Sequence, residues 1–145
     1  LASGDLAGKG TVDAPIGRHP RDRTRMAVGA SGKPAVSDSR ALARLGDASH
    51  VVGSLDSGRT DQIRVHMARF GRPLIGDPVY GHKPRAPSAV TEMQFEAMRA
   101  FPRQALHAFR LRLVRPDGSG AVTFEAPLPE DMVKLLSCLR ENEQS

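Results

Sequence analysis

A chain of 145 residues with 39% hydrophobic and 4% aromatic residues has enough apolar material for one lean core. Its one cysteine, Cys138, excludes an internal disulfide and a thiolate-rich zinc site, and no run approaches the roughly 20 apolar residues of a membrane-spanning helix. The net charge of +5, with 17 Arg and four Lys, fits nucleic-acid binding and the codon usage of a GC-rich genome equally well.

The N-terminal third of the chain is predicted to consist of short strands and loops. Three glycines in the first ten residues indicate a loop or a strand end, without the apolar stretch of a secretory signal peptide, so a cytoplasmic location is expected. An arginine-rich loop, Arg18–Arg25, precedes a short predicted strand at Met26–Val28. Ala35–Leu45 is ambiguous between helix and strand, and a resemblance described below favours a strand. His50–Ser57 alternates as a strand does.

A short amphipathic helix is predicted at Asp61–Phe70. Thr60 is the expected N-cap, and Gly71 and Pro73 are expected to end the helix. Apolar side chains recur at i, i+4 and i+7, which predicts one buried face formed by Ile63, Met67 and Phe70.

The C-terminal half is predicted to contain a loop, two helices and a hairpin. Pro73–Pro87 holds four prolines and two glycines and is expected to be a loop. Thr91 and Gln94 have capping-box spacing before an apolar stripe of Met93, Ala97, Met98 and Phe101. Alternating apolar residues on both sides of Pro116–Gly120 predict a hairpin. The last helix opens at Pro129 and has a predicted buried stripe of Met132, Leu135, Leu136 and Leu139. Strands and helices without βαβ regularity indicate the α+β class.

Two motifs carry a family resemblance. The segments Gly58–Met67 (GRTDQIRVHM) and Pro73–Gly81 (PLIGDPVYG) are similar to the G-R-T-H-Q-I-R-V-H and P-L-x-G-D-x-x-Y-G signatures of RluA-type RNA pseudouridine synthases. The resemblance continues in register from Gly10 to Leu136, through Arg103–Ala108 and Ala126–Met132 among other blocks. Five ordered blocks are far more specific than one nonapeptide.

The resemblance implies a function and a fold. It implies isomerisation of uridine to pseudouridine in RNA, with large-subunit ribosomal RNA as the expected partner and neither metal nor cofactor. An aspartate breaks the N-glycosidic bond, and the detached uracil rotates and rejoins the ribose through carbon. The implied fold is a mixed or antiparallel sheet with flanking short helices, here incomplete. The alternative function is a catalytically inactive, Arg-rich RNA-binding module of the same fold.

The family's catalytic aspartate has no counterpart in the matched order. It belongs to an R-L-D block upstream of the motifs above. Asp47, after Arg44-Leu45-Gly46, and Asp56, before Ser57-Gly58, only imitate family patterns at other places in the motif order. Residues 1–145 are therefore expected to be the C-terminal portion of a catalytic domain. The N-terminal part with the R-L-D motif and the S4-like module are expected to be absent. By itself the chain is expected to be inactive unless the missing segment is supplied.

Arg64 is the one residue expected to belong to the catalytic machinery. It aligns with an arginine that, by the resemblance, pairs with the catalytic aspartate, since a buried carboxylate needs a compensating cation to stay ionised. The alternative interpretation is an exposed helix arginine. Asp61 stands where the family usually has His, and its i, i+3 spacing predicts a pair with Arg64 that competes for an incoming aspartate. The alternative is that Asp61 is only a favourable first-turn residue.

The remaining candidates are expected to bind RNA or to position the motif helix. Arg59, Gln62 and His66 either touch phosphate or orient that helix. A second set of basic side chains either contacts the RNA backbone or is a solvated charge run: Arg18, Arg21, Arg23, Arg25 and Lys33. Asp77 is expected to cap its turn. The five histidines show no metal-ligand spacing, so no metal site is predicted.

Overall fold

The computed structural model describes residues 1–4, 8–22, 24–45, 48–55, 61–81 and 91–140. Its strands are β1 (Ala2–Ser3), β2 (Lys9–Asp13), β3 (Ile16–Arg18), β4 (Met26–Val28), β5 (Val36–Arg44), β6 (Ala48–Leu55), β7 (Arg110–Val114) and β8 (Ala121–Glu125). Its helices are α1 (Gln62–Arg69), α2 (Glu92–Ala100) and α3 (Glu130–Arg140). The predicted α+β class is confirmed.

The largest sheet is antiparallel, with strand order β1-β6-β5-β2. β5 and β6 pair from Ser37 opposite Leu55 to Arg44 opposite Ser49, with a bulge between Ala41 and Ala43. β3 pairs with β4, and β7 pairs with β8, each as a separate two-stranded ribbon. The strand expected at Met26–Val28 is confirmed, and the ambiguous segment Ala35–Leu45 is a strand.

The main apolar cluster forms where α2 and α3 pack together over the end of the large sheet. The predicted buried stripe of α3 is confirmed, since Met132, Leu135, Leu136 and Leu139 all lie in this cluster. The capping box of α2 is also present: Thr91 accepts from the Gln94 backbone, and the Gln94 side chain accepts from Thr91.

In α2 the predicted apolar stripe is not buried along its whole length, because Met93 is 70% exposed. Gln94 is buried instead, and its side-chain amide donates to the Cys138 carbonyl near the end of α3 (3.0 Å). An amide that finds such partners can replace an apolar residue at a helix contact.

The buried face of α1 also differs from the prediction. Met67 is buried, but Phe70 is 57% exposed, so the stripe of Ile63, Met67 and Phe70 is not the core face. The buried residues of α1 are instead Gln62, Val65, His66 and Met67. Apolar periodicity missed this face because two of its four members are polar.

Those two polar side chains join α1 to the large sheet through Ser37 of β5. Gln62 Nε2 donates to the Val36 carbonyl (2.7 Å) and to Ser37 Oγ (3.0 Å). His66 Nδ1 lies 2.7 Å from Ser37 Oγ, and His66 Nε2 lies 2.9 Å from the Ala14 carbonyl. Since a carbonyl only accepts, Nε2 carries the proton, Nδ1 accepts from the Ser37 hydroxyl, and Ser37 Oγ accepts from Gln62.

The β7–β8 hairpin, predicted from alternation, is confirmed, but its apolar side is not covered in the described part of the chain. Leu111 and Leu113 of β7 lie opposite Phe124 and Val122 of β8 on one face. Leu111, Leu113 and Phe124 are each more than half exposed. A two-stranded ribbon with an open apolar face is marginally stable in water, so this face is suited to packing against another segment.

Replacing Ser37 with Ala should destabilise the fold by about 1–3 kcal/mol, because His66 Nδ1 and Gln62 Nε2 each lose a partner in a buried site. Urea unfolding followed by circular dichroism measures this free energy. Ser39→Ala on the same strand is the matched control, since Ser39 Oγ makes only a long bond of 3.4 Å at the exposed Gly10 carbonyl. Equal effects of the two substitutions would contradict the network.

Candidate active site

Arg64 lies at the centre of the most connected polar cluster in the described structure. Its Nε donates to Asp77 Oδ2 (2.9 Å) and its Nη2 donates to Asp77 Oδ1 (2.8 Å). The Asp77 side chain is fully buried, and that of Arg64 is 13% exposed. Two parallel charge-assisted bonds give the pair a fixed geometry. The interpretation of Arg64 as an exposed helix arginine is therefore wrong, whereas its pairing with an aspartate outside this chain stays a prediction.

Asp77 also caps the turn that carries it. Its Oδ1 accepts from the backbone N–H groups of Val79 (3.0 Å) and Tyr80 (3.1 Å), as the sequence predicted. Gly76 precedes it at φ 76°, where a Cβ would lie 2.1 Å from the Arg103 carbonyl oxygen. A side chain at position 76 is excluded by both the backbone conformation and the contact. Gly76 and Asp77 thus form a turn that places the Asp77 carboxylate against Arg64 of α1.

The electrostatics of the pair favour its charged form. Burial raises the pKa of the Asp77 carboxyl, but hydrogen bonds from Arg64, Tyr80 and Val79 outweigh burial, so the net pKa lies below its usual range. The hydrogen bond to Asp77 raises the pKa of Arg64, against the opposing effect of burial. Asp77 is therefore an ionised carboxylate that holds Arg64.

Asp61 is a second carboxylate on Arg64. Arg64 Nη1 donates to Asp61 Oδ1 (3.2 Å), so the pair predicted from i, i+3 spacing is confirmed. Asp61 occupies the N-cap position of α1 at φ 54°, in the left-handed region, and its side chain does not cap the helix. Asp is among the few non-glycine residues that tolerate this conformation. The predicted N-cap, Thr60, lies outside the described residues.

Tyr80 connects this cluster to the arginine-rich loop. Its hydroxyl donates to Asp61 Oδ2 (2.9 Å) and accepts from the Met26 backbone N–H (2.9 Å). Arg64 and Arg25 both lie over its ring, with Cζ atoms 4.9 and 5.1 Å from the ring centroid. Tyr80 belongs to the second motif, but the sequence pattern alone indicated no role for it. The available signal was the one tyrosine of the chain, three residues after Asp77.

The basic residues predicted to bind RNA are only partly brought together. Arg18 is exposed at the end of β3, and Arg21 is exposed on the loop between β3 and β4. Arg25 is half-buried at the end of that loop, and Lys33 is exposed nearby, with its backbone bridged to Ile16. The loop is ordered by His19, whose Nδ1 accepts from the N–H groups of residues 21 (3.2 Å) and 22 (3.0 Å). RNA contact by these side chains stays a prediction.

Gln62 and His66 occupy the interior, with 2% and 0% exposure. Their polar atoms bond to the large sheet, so the geometry supports positioning of the helix and corrects the expectation that they touch phosphate. Other sequence candidates lie outside the described residues: Arg23, Arg59, Asp47 and Asp56.

Within the described ranges, no group of three or more His, Cys, Asp or Glu side chains is placed to hold a metal ion. No helix of the same ranges is long and apolar enough to cross a membrane.

Comparison with curated proteins gives close matches along nearly the whole chain. Ribosomal large subunit pseudouridine synthase D of Escherichia coli (strain K12) is 46% identical over 140 residues, 97% of this chain and 43% of that protein. The protein of the same name from Pseudomonas aeruginosa is 47% identical over 145 residues, 100% of this chain and 45% of that protein. The predicted resemblance to pseudouridine synthases is confirmed. The chain spans less than half the length of these relatives. No protein-family model matches it.

Solved structures of pseudouridine synthases have the same fold. Human RNA pseudouridylate synthase domain containing 1 has a TM-score of 0.64 and 28% identity, covering 96% of this chain and 62% of that one. Human RNA pseudouridylate synthase domain containing 4 has a TM-score of 0.67 at 23% identity, a likeness in fold alone.

Replacing Asp77 with Asn should destabilise the chain by about 3–5 kcal/mol at neutral pH, because the nearly buried guanidinium of Arg64 loses its bidentate carboxylate and keeps only the single bond to the more exposed Asp61. Since the folded-state pKa of Asp77 is lowered, its contribution is present above the unfolded pKa of about 3.9 and is lost as pH falls through the folded value. The wild type should therefore lose stability in acid more steeply than Asp77→Asn. Urea unfolding across pH measures both effects.

The matched control is Glu96→Gln, which breaks an ion pair with Arg99 in which both side chains are more than half exposed. Its effect should be within about 1 kcal/mol. An Asp77→Asn protein that is as stable as this control, with the same acid sensitivity as the wild type, would contradict the role given to the pair.

Proposed function

We propose that the intact protein is an RNA pseudouridine synthase that acts on large-subunit ribosomal RNA in the cytoplasm. In this proposal residues 1–145 are the C-terminal portion of its catalytic domain, and a preceding segment supplies the R-L-D aspartate and an S4-like module. The observation that carries the proposal is the convergence of the two family motifs on one cluster, Arg64–Asp77–Tyr80, in a chain 46–47% identical to such synthases.

Arg64 has the donors that the proposed role needs. Its guanidinium carries five N–H groups, of which Asp77 takes two and Asp61 takes one. The two terminal nitrogens therefore each retain one N–H. These donors suit a further carboxylate, the catalytic aspartate of the proposed preceding segment, which the cation keeps ionised. The aspartate cleaves the bond between C1′ and N1 of uridine, and C1′ then bonds to C5 of the rotated uracil, which loses its C5 hydrogen as a proton.

The open apolar face of the β7–β8 hairpin supports the proposed domain organisation. Leu111, Leu113 and Phe124 expose more than half of their side-chain surface in this chain. About 40% of each solved chain lies outside the matched part, since this chain covers 62% and 59% of them. A further segment of the catalytic domain that packs on this face would bury these side chains.

In the intact protein, Arg64→Gln should lower kcat/KM by on the order of 100- to 1,000-fold, because the catalytic carboxylate loses its buried cation. Release of tritium from RNA labelled at uridine C5 measures turnover directly, since that hydrogen leaves when the new bond forms. Arg69→Gln at the C-terminal end of the same helix is the matched control and should retain activity. Equal rates for the two variants would contradict the role of Arg64.

Asp61→His in the intact protein should raise the turnover rate several-fold, because it removes the carboxylate that competes for Arg64 Nη1. Asp61→Asn removes the negative charge but keeps the backbone conformation, since Asn also tolerates the left-handed region at this position. It therefore shows how much of the effect comes from the charge alone. Tritium release under saturating RNA gives both rates. An unchanged or lower rate for Asp61→His would contradict competition by Asp61.

The alternative function is an RNA-binding module without catalysis. RNA that contains 5-fluorouridine distinguishes the two, since a synthase should form a stable adduct that is resolved by denaturing gel electrophoresis. An intact protein that binds this RNA without forming an adduct or releasing tritium would favour the binding module.

A further inference from the structure

Arg25 differs from the paired arginines of the described structure. Arg64, Arg99, Arg103 and Arg110 each donate to a carboxylate. Arg25 is also partly buried, but its guanidinium lies over the Tyr80 ring, and its Nε is buried without a hydrogen-bond partner. Its position is held by the face of the guanidinium and not by its N–H groups.

Stacking has a different consequence from ion pairing. A cation–π contact uses the flat face of a guanidinium, whereas the N–H donors point outward in its plane. A stacked arginine is therefore ordered and keeps its donors for an acceptor from outside. Phosphate oxygens fit such a planar set of donors. The guanidinium of Arg25 is thus preorganised for binding an anion.

Tyr80 is a rigid platform for this arrangement. It is 5% exposed, and its backbone N–H and hydroxyl bond to Asp77 and to Asp61. The same hydroxyl accepts the N–H of Met26, the residue that follows Arg25. One side chain thereby fixes both the backbone beside Arg25 and the plane of its guanidinium.

The neighbouring loop surface is positive. Arg18 and Arg21 are exposed on the segment that Arg25 ends. Asp22 is the acidic residue of this loop, and its carboxylate accepts from the backbone and hydroxyl of Thr24 rather than pairing with Arg25. An RNA strand that approaches Arg64 along this loop meets Arg25 next to the motif helix.

We propose that Tyr80 is a positioning residue for substrate RNA: it holds Arg25 so that the N–H donors of the two terminal guanidinium nitrogens bind a backbone phosphate. This inference rests on the proposed function, because it takes RNA as the ligand. In addition, the strength and the number of phosphate contacts depend on an uncharged side chain, that of Tyr80.

The test is the salt dependence of RNA binding by this chain. The probe is a fluorescein-labelled RNA hairpin with uridines in its loop, followed by anisotropy from about 50 to about 200 mM KCl. Arg25→Gln should reduce the slope of log K against log salt by about 0.7 to 0.9, the loss of one phosphate contact. Tyr80→Leu should reduce the slope by a similar amount although it leaves the net charge unchanged. Tyr80→Phe, which retains the ring, should keep most of the slope.

The double substitution Arg25→Gln with Tyr80→Leu tests whether Tyr80 acts through Arg25. Its slope should equal that of Arg25→Gln alone. A Tyr80→Leu chain that is folded by circular dichroism and has the wild-type slope would overturn the inference. If the wild-type chain does not bind the RNA at low salt, the proposed RNA-binding function fails first, which is a distinguishable result.

A second pair of variants leaves the buried Tyr80 intact, in case its replacement prevents folding. Arg25→Lys keeps the charge but loses the planar group that stacks and donates in one plane. It should weaken binding about three- to tenfold, whereas Arg21→Lys at an exposed position of the same loop should have little effect. Equal effects at positions 25 and 21 would show that Arg25 contributes charge alone and would contradict positioning by Tyr80.

Discussion

The buried pair between Arg64 and Asp77 is the interaction on which the candidate site depends. It joins α1 to the turn that begins at Gly76, two segments that are separated in sequence and that supply the two family motifs. A buried carboxylate and a nearly buried guanidinium each require the other, since removing one leaves an uncompensated charge. The pair therefore fixes both segments together, and Asp61 and Tyr80 are added to an arrangement that the pair has already determined.

A second constraint fixes the rotation of α1. Gln62 and His66 hydrogen-bond to Ser37 Oγ, and they also reach the carbonyls of Val36 and Ala14 respectively. This face points to the sheet, and Arg64 is therefore turned toward Asp77. Satisfied polar groups are compatible with burial and, unlike apolar ones, also specify direction. Gln62 and His66 thus orient the helix, and Arg64 faces the turn that carries Asp77.

Much of the fold follows from the sequence, because local patterns determine it. Alternation predicted the hairpin around Pro116–Gly120, and the spacing of Thr91 and Gln94 predicted a capping box that is present. The buried face of α1 was missed because apolar periodicity counts His66 as solvent-facing, and only a partner distant in sequence makes its burial favourable. The Arg64–Asp77 pair was missed for the same reason, since nothing local links the two residues. Tyr80 received no role because the partners of its side chain lie on two distant segments, at residues 25–26 and 61–64.

The central claim is that Asp77 is an ionised carboxylate clamped by Arg64 in the folded chain. Titration of the side-chain carboxyl of Asp77 by carbon-13 NMR tests this most directly. A midpoint below the ordinary aspartate pKa of about 3.9 is expected, accompanied by loss of the Arg64 Nε–H signal as the carboxyl takes up its proton. A midpoint at or above that value, with an Arg64 signal that does not respond to it, would contradict the account.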